Sequence, residues 1–178
     1  MQLLTAILMV CFVISCSCVQ GEVESTKKVV RLQWYIHDTP FSGPNSSAVS
    51  VIGYNASDIQ NELAHYLFGQ IFVFDDPLTQ GPSLSSPSLG RGRGTYTFIS
   101  KEEFLIYMSF TISFQTGEYN GSSLNIVGGD PKQRVFSIVG GTGKFILARG
   151  ILEQVLVKPF GPFHASSILS HNATIHLN

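Results

Sequence analysis

The 178-residue sequence has few cysteines and few charges. Its three cysteines, Cys11, Cys16 and Cys18, all lie close to the N-terminus, so the rest of the chain has no thiol for a disulfide. Only 13% of the residues are charged and the formal net charge is -1. This balance gives no general electrostatic reason to expect nucleic acid or an acidic membrane as a partner. A domain of this length without disulfides must be held together by its core.

The N-terminal apolar run is too short to cross a bilayer. It covers residues 3–14, interrupted only by Thr5, whereas a transmembrane helix needs about 20 apolar residues. Small residues and then the polar stretch 20–25 follow it. We therefore expect a signal peptide over residues 1–21 and a secreted mature domain over residues 22–178. The alternative, a buried first strand, is disfavoured by the polar residues that follow at once.

Four Asn-X-Ser/Thr triplets agree with export from the cell. They begin at Asn45, Asn55, Asn120 and Asn172. Such triplets are acceptors for N-linked glycans in secreted proteins. We expect all four to be exposed glycosylation sites.

The sequence lacks the motifs of several enzyme classes. Residues 140–144 resemble part of a phosphate-binding loop, but Ile138 and Phe145 stand where that loop needs Gly and Ser or Thr. The five histidines show no metal-ligand spacing, and no nucleophile elbow is present. We therefore expect no metal and no cofactor, and we interpret residues 140–143 as a hairpin turn.

What the sequence does contain is a series of β-strand patterns. Residues 104–114 alternate apolar and polar side chains with the period of two that a half-buried strand has. Further strands are predicted over residues 30–36, 48–52, 68–75, 96–100, 124–127, 135–139, 144–157 and 166–177. Asp75-Asp76-Pro77 is expected to end one strand, and Gly150 is expected to form a bulge in another.

These strands predict an all-β domain. About eight strands and no long helix are typical of a barrel or a sandwich. Long strands joined in sequence favour a closed barrel, and a barrel of eight strands is either filled or holds one small ligand.

Three charged residues are candidates for chemistry. Asp38 continues the apolar parity of the first strand, so its carboxylate is predicted to face the core, where a charge is costly unless it is paired or used. Alternatively, that strand ends at Ile36 and Asp38 caps a turn. Asp130 and Arg134 share a short connection between two strands and could converge on the mouth of a barrel. The alternative for them is a solvated turn with a loose ion pair.

Several sequence blocks together resemble the plant dirigent proteins. The blocks are residues 36–38, 75–82, 117–124 and 139–150, in the family's order and spread over nearly all of the mature chain. The resemblance implies an eight-stranded antiparallel barrel similar to allene oxide cyclase. It also implies a secreted, glycosylated protein of the apoplast that forms a homo-oligomer, a trimer or a dimer.

The resemblance also implies a function. Dirigent proteins impart stereoselectivity to the coupling of phenoxy radicals, which a separate laccase or peroxidase makes from monolignols such as coniferyl alcohol, and the products are of the lignan type. Two alternatives are a stand-alone quinone-methide cyclase and a non-catalytic carrier of small hydrophobic molecules. The residues that match the family's pocket are Asp38, Asp130 and Arg134 as catalytic groups and Tyr96 as a substrate-binding group.

The chain departs from the family pattern in two places. The mature chain has no counterpart to the cysteine pair found in many members. The family's Gly-Arg-Ala-Gln-Gly run reads Gly90-Arg91-Gly92-Arg93-Gly94 here, which adds a cation close to Tyr96.

Overall fold

The computed structural model describes residues 28–40, 43–51, 68–129, 134–158 and 167–177. In these ranges the strands are β1 (Lys28–Asp38), β2 (Ala48–Ser50), β3 (Ile71–Thr79), β4 (Ser88–Phe98), β5 (Ile106–Phe114), β6 (Ser123–Gly128), β7 (Val135–Thr142), β8 (Arg149–Lys158) and β9 (Ser167–Leu177). Two short 3-10 turns, Gly43–Asn45 and Gly143–Phe145, are also present. No helix in the described ranges is long and apolar enough for a membrane crossing. The predicted signal peptide lies outside the described residues.

The strands form one antiparallel sheet that closes on itself. Neighbouring strands follow the order β1-β9-β8-β7-β6-β5-β4-β3, and β1 also pairs with β3. The short strand β2 lies beside β3, outside this ring of eight. The predicted eight-stranded antiparallel barrel is therefore confirmed, and closure leaves only a short unpaired stretch on the edge of β3, between its pairings with β2 and β1.

Alternation along the strands places the core in the barrel lumen. On β1, Val30, Trp34 and Ile36 are buried while Arg31 and Gln33, on the other face, are exposed. The same inward parity buries Phe110, Ile112 and Phe114 on β5, Leu124 and Ile126 on β6, and Ala173 and Ile175 on β9. The lumen is thus packed with apolar side chains, as expected for a barrel of eight strands.

One end of the lumen is plugged by aromatic rings. Phe145, which is fully buried, lies in the turn before β8 and stacks on Tyr119 with ring centroids 4.9 Å apart. Its ring also lies 5.7 Å from that of Phe114, at the end of β5. The predicted strand from residue 144 is therefore wrong in its first residues, because Gly143 adopts a positive φ of 59° and starts a 3-10 turn instead.

Glycines form part of the inner wall of β4. Gly90, Gly92 and Gly94 point inward, and a methyl group on Gly94 would lie 2.2 Å from the carbonyl oxygen of Ser109. Arg91 and Arg93 alternate with them and point outward. This Gly-Arg run belongs to β4, which begins at Ser88 and not at Tyr96 as predicted. The missing side chains leave space for the rings and aliphatic chains of β1 and β5.

Strand β3 does not stop at Asp75-Asp76-Pro77, which corrects the sequence prediction. Asp75 donates its N–H to the carbonyl of Ser47, beside β2. The backbone nitrogens of residues 75, 77 and 79 therefore all point to the edge of β3 that faces β2 and β1. At position 77 that edge has no partner, because β2 pairing ends at Phe74 and β1 pairing begins at Leu78. Proline, which has no N–H to donate, is therefore tolerated there.

The bulge predicted at Gly150 is also absent. Gly150 pairs regularly with Ile138 and Ile175, and the register of β8 shifts further along, between Leu156 and Lys158. A methyl group on Gly150 would lie 2.0 Å from the carbonyl oxygen of Thr174. Glycine is required here by the close approach of two backbones.

Candidate functional site

A small cavity lies in the lumen on the side away from the aromatic plug. It is lined by apolar residues Ile36, Phe74, Met108, Phe110 and Leu169 and by polar residues Asp38, Asp76, Tyr96, Gln154 and His171. Its free volume is about 20 Å³, which is room for about one water molecule. Several of its lining side chains, including Tyr96, Met108 and Gln154, are only partly buried.

Two carboxyl groups meet on one wall of this cavity. The β1–β3 register pairs Ile36 with Leu78, and two further steps along it place Asp38 opposite Asp76. Residues directly opposite each other in an antiparallel pair point to the same face and lie close together. Oδ1 of each carboxyl is buried without a hydrogen-bond partner, and the Ser47 side chain hydrogen-bonds Asp76.

Burial favours the protonated form of both carboxyls. It raises the pKa of Asp38 to about 7. The pKa of Asp76 rises to about 8, first because of burial and then because of the negative charge on Asp38. Two acids that cannot both ionise cheaply share protons near neutral pH, so the pair can act as a proton donor.

The adjacent residue Asp75 has the opposite environment. It points outward and accepts hydrogen bonds from Nε of Arg91 at 2.6 Å and Nε of Arg93 at 3.0 Å. Partial burial acts to raise the pKa of Asp75, but these hydrogen bonds and the two positive charges outweigh it and lower that pKa. Alternation along β3 thus separates an ordinary surface carboxylate from an acid held in the lumen.

Aromatic rings form the wall beside the acid pair. The ring of Tyr96 stacks on that of Phe72, with centroids 4.8 Å apart and planes 9° apart, and lies 6.1 Å from that of Phe74. Burial, followed by the charges of Asp38 and Asp76, raises the pKa of Tyr96, so its hydroxyl stays protonated. Flat aromatic guests pack well on such a wall.

A third polar group is His171 on β9. Nδ1 of its ring accepts a hydrogen bond of 3.0 Å from the indole N–H of Trp34, and its Nε2 lies 3.0 Å from the terminal amide of Gln154. Burial lowers the pKa of His171 to about 3, so the ring is neutral over the ordinary pH range.

The structure places the predicted catalytic residues as follows. Asp38 and Tyr96 line the same cavity. Arg134 is not among its lining residues; its backbone has a φ of 51°, and its carbonyl accepts a hydrogen bond of 2.8 Å from the N–H of Gln154. Asp130 lies outside the described residues. The roles of all four residues stay predictions.

The predicted glycosylation sites differ in exposure. Asn45 and Asn120 are exposed, and Asn172 is partly buried on the outer face of β9. Asn55 lies outside the described residues. Across the described ranges, no group of three or more His, Cys, Asp or Glu side chains could hold a metal ion.

Sequence reasoning missed Asp76, His171 and Gln154. The parity signal was present for two of them: Asp76 continues Phe72 and Phe74, and His171 lies between Leu169 and Ala173 on the inward face of β9. Both faces of β8 carry apolar side chains, so parity gave no signal for Gln154. Asp76 was missed because Pro77 was interpreted as a strand end.

The fold and this cavity define a closed antiparallel barrel with a paired-acid, aromatic-walled lumen. A family model described as "Dirigent-like protein" matches residues 29–176. The chain belongs to the dirigent protein family, as the sequence blocks predicted.

Relatives and solved structures agree with this assignment. The chain is 36% identical over 157 residues to Dirigent protein 15 of Arabidopsis thaliana, covering 84% of this chain and 80% of that relative. It is 41% identical over 132 residues to Pterocarpan synthase 1 of Glycyrrhiza echinata, covering 71% and 67%. The structure of the pterocarpan synthase dirigent protein GePTS1 superposes with a TM-score of 0.72 at 33% identity, covering 85% of this chain and 86% of that one.

Proposed function

We propose that this dirigent-family protein binds a phenolic phenylpropanoid in its lumen and directs the stereochemistry of the bond formed there. The observation that carries this proposal is the buried Asp38–Asp76 pair, which holds protons near neutral pH beside the aromatic wall. A quinone methide is the kind of guest that uses both features. Its flat ring packs on aromatic side chains, and its carbonyl oxygen needs a proton when a nucleophile adds.

Ring closure on such a guest balances without an oxidant. A hydroxyl oxygen of the guest forms a bond to the exocyclic methide carbon and loses its proton. The quinone carbonyl oxygen gains a proton and becomes a phenol. The acid pair donates one proton and recovers the other, so each carboxyl ends as it began.

Coupling of phenoxy radicals is the route by which the guest forms. A separate laccase or peroxidase removes one electron and one proton from each of two monolignols, such as coniferyl alcohol. The two radicals join through a carbon–carbon bond, which leaves two quinone methides for the acids to close. The rings of Phe74 and Tyr96, which line the cavity with Phe72 stacked on Tyr96, support this proposal, because an aromatic wall restricts the faces that two rings present to each other.

A stand-alone cyclase is the second candidate. Two of the matched structures are of pterocarpan synthase dirigent proteins, and the acid pair requires no radical source to protonate a quinone methide. The third possibility, a carrier without chemistry, makes no use of two buried acids.

Binding requires side chains of the cavity to move. The free volume of about 20 Å³ is far below the several hundred Å³ that a phenylpropanoid occupies in a binding site. Tyr96 and Met108 are partly buried, and the flexible Met108 side chain can change rotamer at low cost. Arg134, which does not line the cavity, is proposed to stabilise a phenolate in such a rearranged state, and Asp130 is proposed as a further acid.

An incubation with coniferyl alcohol tests directed coupling. Pure protein is mixed with coniferyl alcohol, with and without a laccase, and the products are resolved by chiral chromatography. Enantiomerically enriched lignans that require the laccase support directed coupling. Racemic lignans at every protein concentration would refute it for that substrate.

Variants then test the acids. Enriched closure of a preformed quinone methide that carries a pendant hydroxyl, without laccase, supports the cyclase. Asp76→Asn and Asp130→Asn should each abolish enrichment, whereas Asp75→Asn, one residue away and facing outward, should retain it. Unchanged product yield and enrichment in an acid variant removes that residue from the mechanism.

We also propose that the protein is secreted to the apoplast after loss of residues 1–21, carries N-linked glycans and forms a homo-oligomer. Two exposed sequons, Asn45 and Asn120, support glycosylation. The mass of protein expressed in plant cells, before and after enzymatic deglycosylation, tests the glycans and the new N-terminus together. Sedimentation analysis tests the oligomer.

A further inference from the structure

Three inward side chains form a continuous polar chain across neighbouring strands. Trp34 on β1 and Gln154 on β8 are both register partners of His171 on β9. The indole N–H of Trp34 lies 3.0 Å from Nδ1 of His171, and the amide of Gln154 lies 3.0 Å from Nε2. Trp34 and His171 are buried almost completely, whereas Gln154 is only partly buried and lines the cavity.

Hydrogen-bond chemistry fixes the tautomer of the histidine. An indole N–H can only donate, so Nδ1 of His171 must be the acceptor. A neutral imidazole has one acceptor nitrogen and one N–H, and His171 stays neutral in this buried position. The hydrogen of the ring is therefore on Nε2, and His171 donates to Gln154.

The tautomer in turn fixes the Gln154 amide. The structure has the amide nitrogen of Gln154 3.0 Å from Nε2 of His171, and with a hydrogen on Nε2 two donors would oppose each other. A half-turn about the terminal bond exchanges the nitrogen and oxygen positions, and only the orientation with the oxygen toward His171 satisfies both groups. Within the described residues, the NH₂ group is then the free end of a side chain that lines the cavity.

We propose that Gln154 donates a hydrogen bond from this NH₂ group to an acceptor oxygen of the guest, and that His171 and Trp34 are the positioning residues that aim it. The guest class follows from the proposed function, on which this assignment rests: a flat phenol or quinone methide with a carbonyl, phenolic or methoxy oxygen. Gln154 lies on β8, whereas the acid pair lies on β1 and β3. Two polar anchors on different walls fix the direction of a flat guest, so Gln154 helps determine which face reacts.

The orientation of the Gln154 amide by His171 is tested first, in the ligand-free protein. Two-bond ¹H–¹⁵N NMR of the histidine rings at pH 7 distinguishes the two tautomers. We expect His171 with its hydrogen on Nε2. A hydrogen on Nδ1, or a charged ring, overturns the relay and with it the orientation of Gln154.

The contact with the guest is tested with two variants. Gln154→Met removes the donor at every pH. Gln154→Glu, when protonated at low pH, offers a carbonyl oxygen to His171 and an O–H to the guest, so it replaces both functions of the glutamine. When ionised at high pH, it keeps the acceptor and loses the donor.

Affinity for coniferyl alcohol and for coniferyl aldehyde is followed by the fluorescence of Trp34, the single tryptophan. Relative to wild type at each pH, Gln154→Met should bind both probes about three- to tenfold more weakly throughout, the value of one hydrogen bond. Gln154→Glu should match wild type at pH 5 and weaken by a similar factor at pH 8.5. A Gln154→Glu ratio that does not change with pH, a Gln154→Met affinity equal to wild type, or no binding of either probe to wild type overturns the proposal.

This failure is distinguishable from failure of the proposed function. Enriched products with an ineffective Gln154→Met variant would remove Gln154 and leave the function standing. Racemic products with the expected His171 tautomer and the expected binding ratios would leave Gln154 as a ligand contact in a protein of different activity.

Discussion

Replacing Asp76 with Asn keeps the size of the side chain but removes a carboxyl that the fold holds in its protonated form. The pKa of Asp76 is about 8 in the folded protein, against 3.8 ordinarily, first because of burial and then because of Asp38. The unfolded chain releases this proton more easily. The stability contributed by Asp76 is therefore complete below about pH 4 and is lost as the pH rises toward 8.

The structure sets the size of this effect. Each unit of pKa difference is worth about 1.4 kcal/mol, so a rise of about four units gives a ceiling of roughly 5 kcal/mol at pH 8. Water entry and proton sharing with Asp38 reduce it, and we expect about 2–4 kcal/mol. Relative to wild type, Asp76→Asn should therefore gain about 2–4 kcal/mol of unfolding free energy between pH 4 and pH 8.

Urea unfolding followed by Trp34 fluorescence at pH 4, 6 and 8 measures this difference, and comparison with wild type cancels the other titrating groups. Asp75→Asn is the matched control. The pKa of Asp75 is lowered, so its contribution is present at neutral pH and lost on acidification, and its exposed ion pairs are worth at most about 1 kcal/mol. If the difference in unfolding free energy between Asp76→Asn and wild type stays constant or becomes smaller as the pH rises, the protonated-acid interpretation is wrong.

Three further predictions concern the wall, the plug and the reaction. Gly94→Ala should lower the unfolding free energy by at least about 2 kcal/mol, because its methyl group would meet backbone atoms. In the control Gly140→Ala the methyl group has no atom nearer than 3.8 Å, so the unfolding free energy should stay within about 0.5 kcal/mol of wild type. Equal urea midpoints for the two variants would contradict this. Phe145→Ala should cost about 3–5 kcal/mol in the same measurement, and a loss below about 1 kcal/mol would show that the ring is not part of the core. Ring closure should slow as the pH rises through 7–8, where the acid pair loses its proton; a rate that increases over this range would assign the pair a base role.

Parity in the sequence predicted the strands and an inward Asp38, and the sequential order of long strands favoured a barrel over a sandwich. Alternation is a local property, so Val30, Trp34 and Ile36 fixed the inward face of β1 without knowledge of its partners. Closure is not local. The pairing of β1 with β3 depends on strands far apart in the chain, and only that pairing places Asp76 opposite Asp38.

The errors have a common physical cause. Pro77 and Gly150 were interpreted by their usual local effects, as a strand end and a bulge. The role of each residue instead depends on its neighbours in the sheet. Pro77 faces an edge without a pairing partner, and Gly150 lies against the backbone of Thr174 on the neighbouring strand. The relay through His171 was equally inaccessible, because a tautomer is decided by partners on two other strands.

Phe145 and the rings around it fill one end of the lumen in the part of the chain that the structure describes. Under the proposed function, reactants and product would then share the passage at the opposite end, and each product would have to depart before new reactants enter. Release of the bulkier product would set the rate of turnover wherever it is slower than the chemistry.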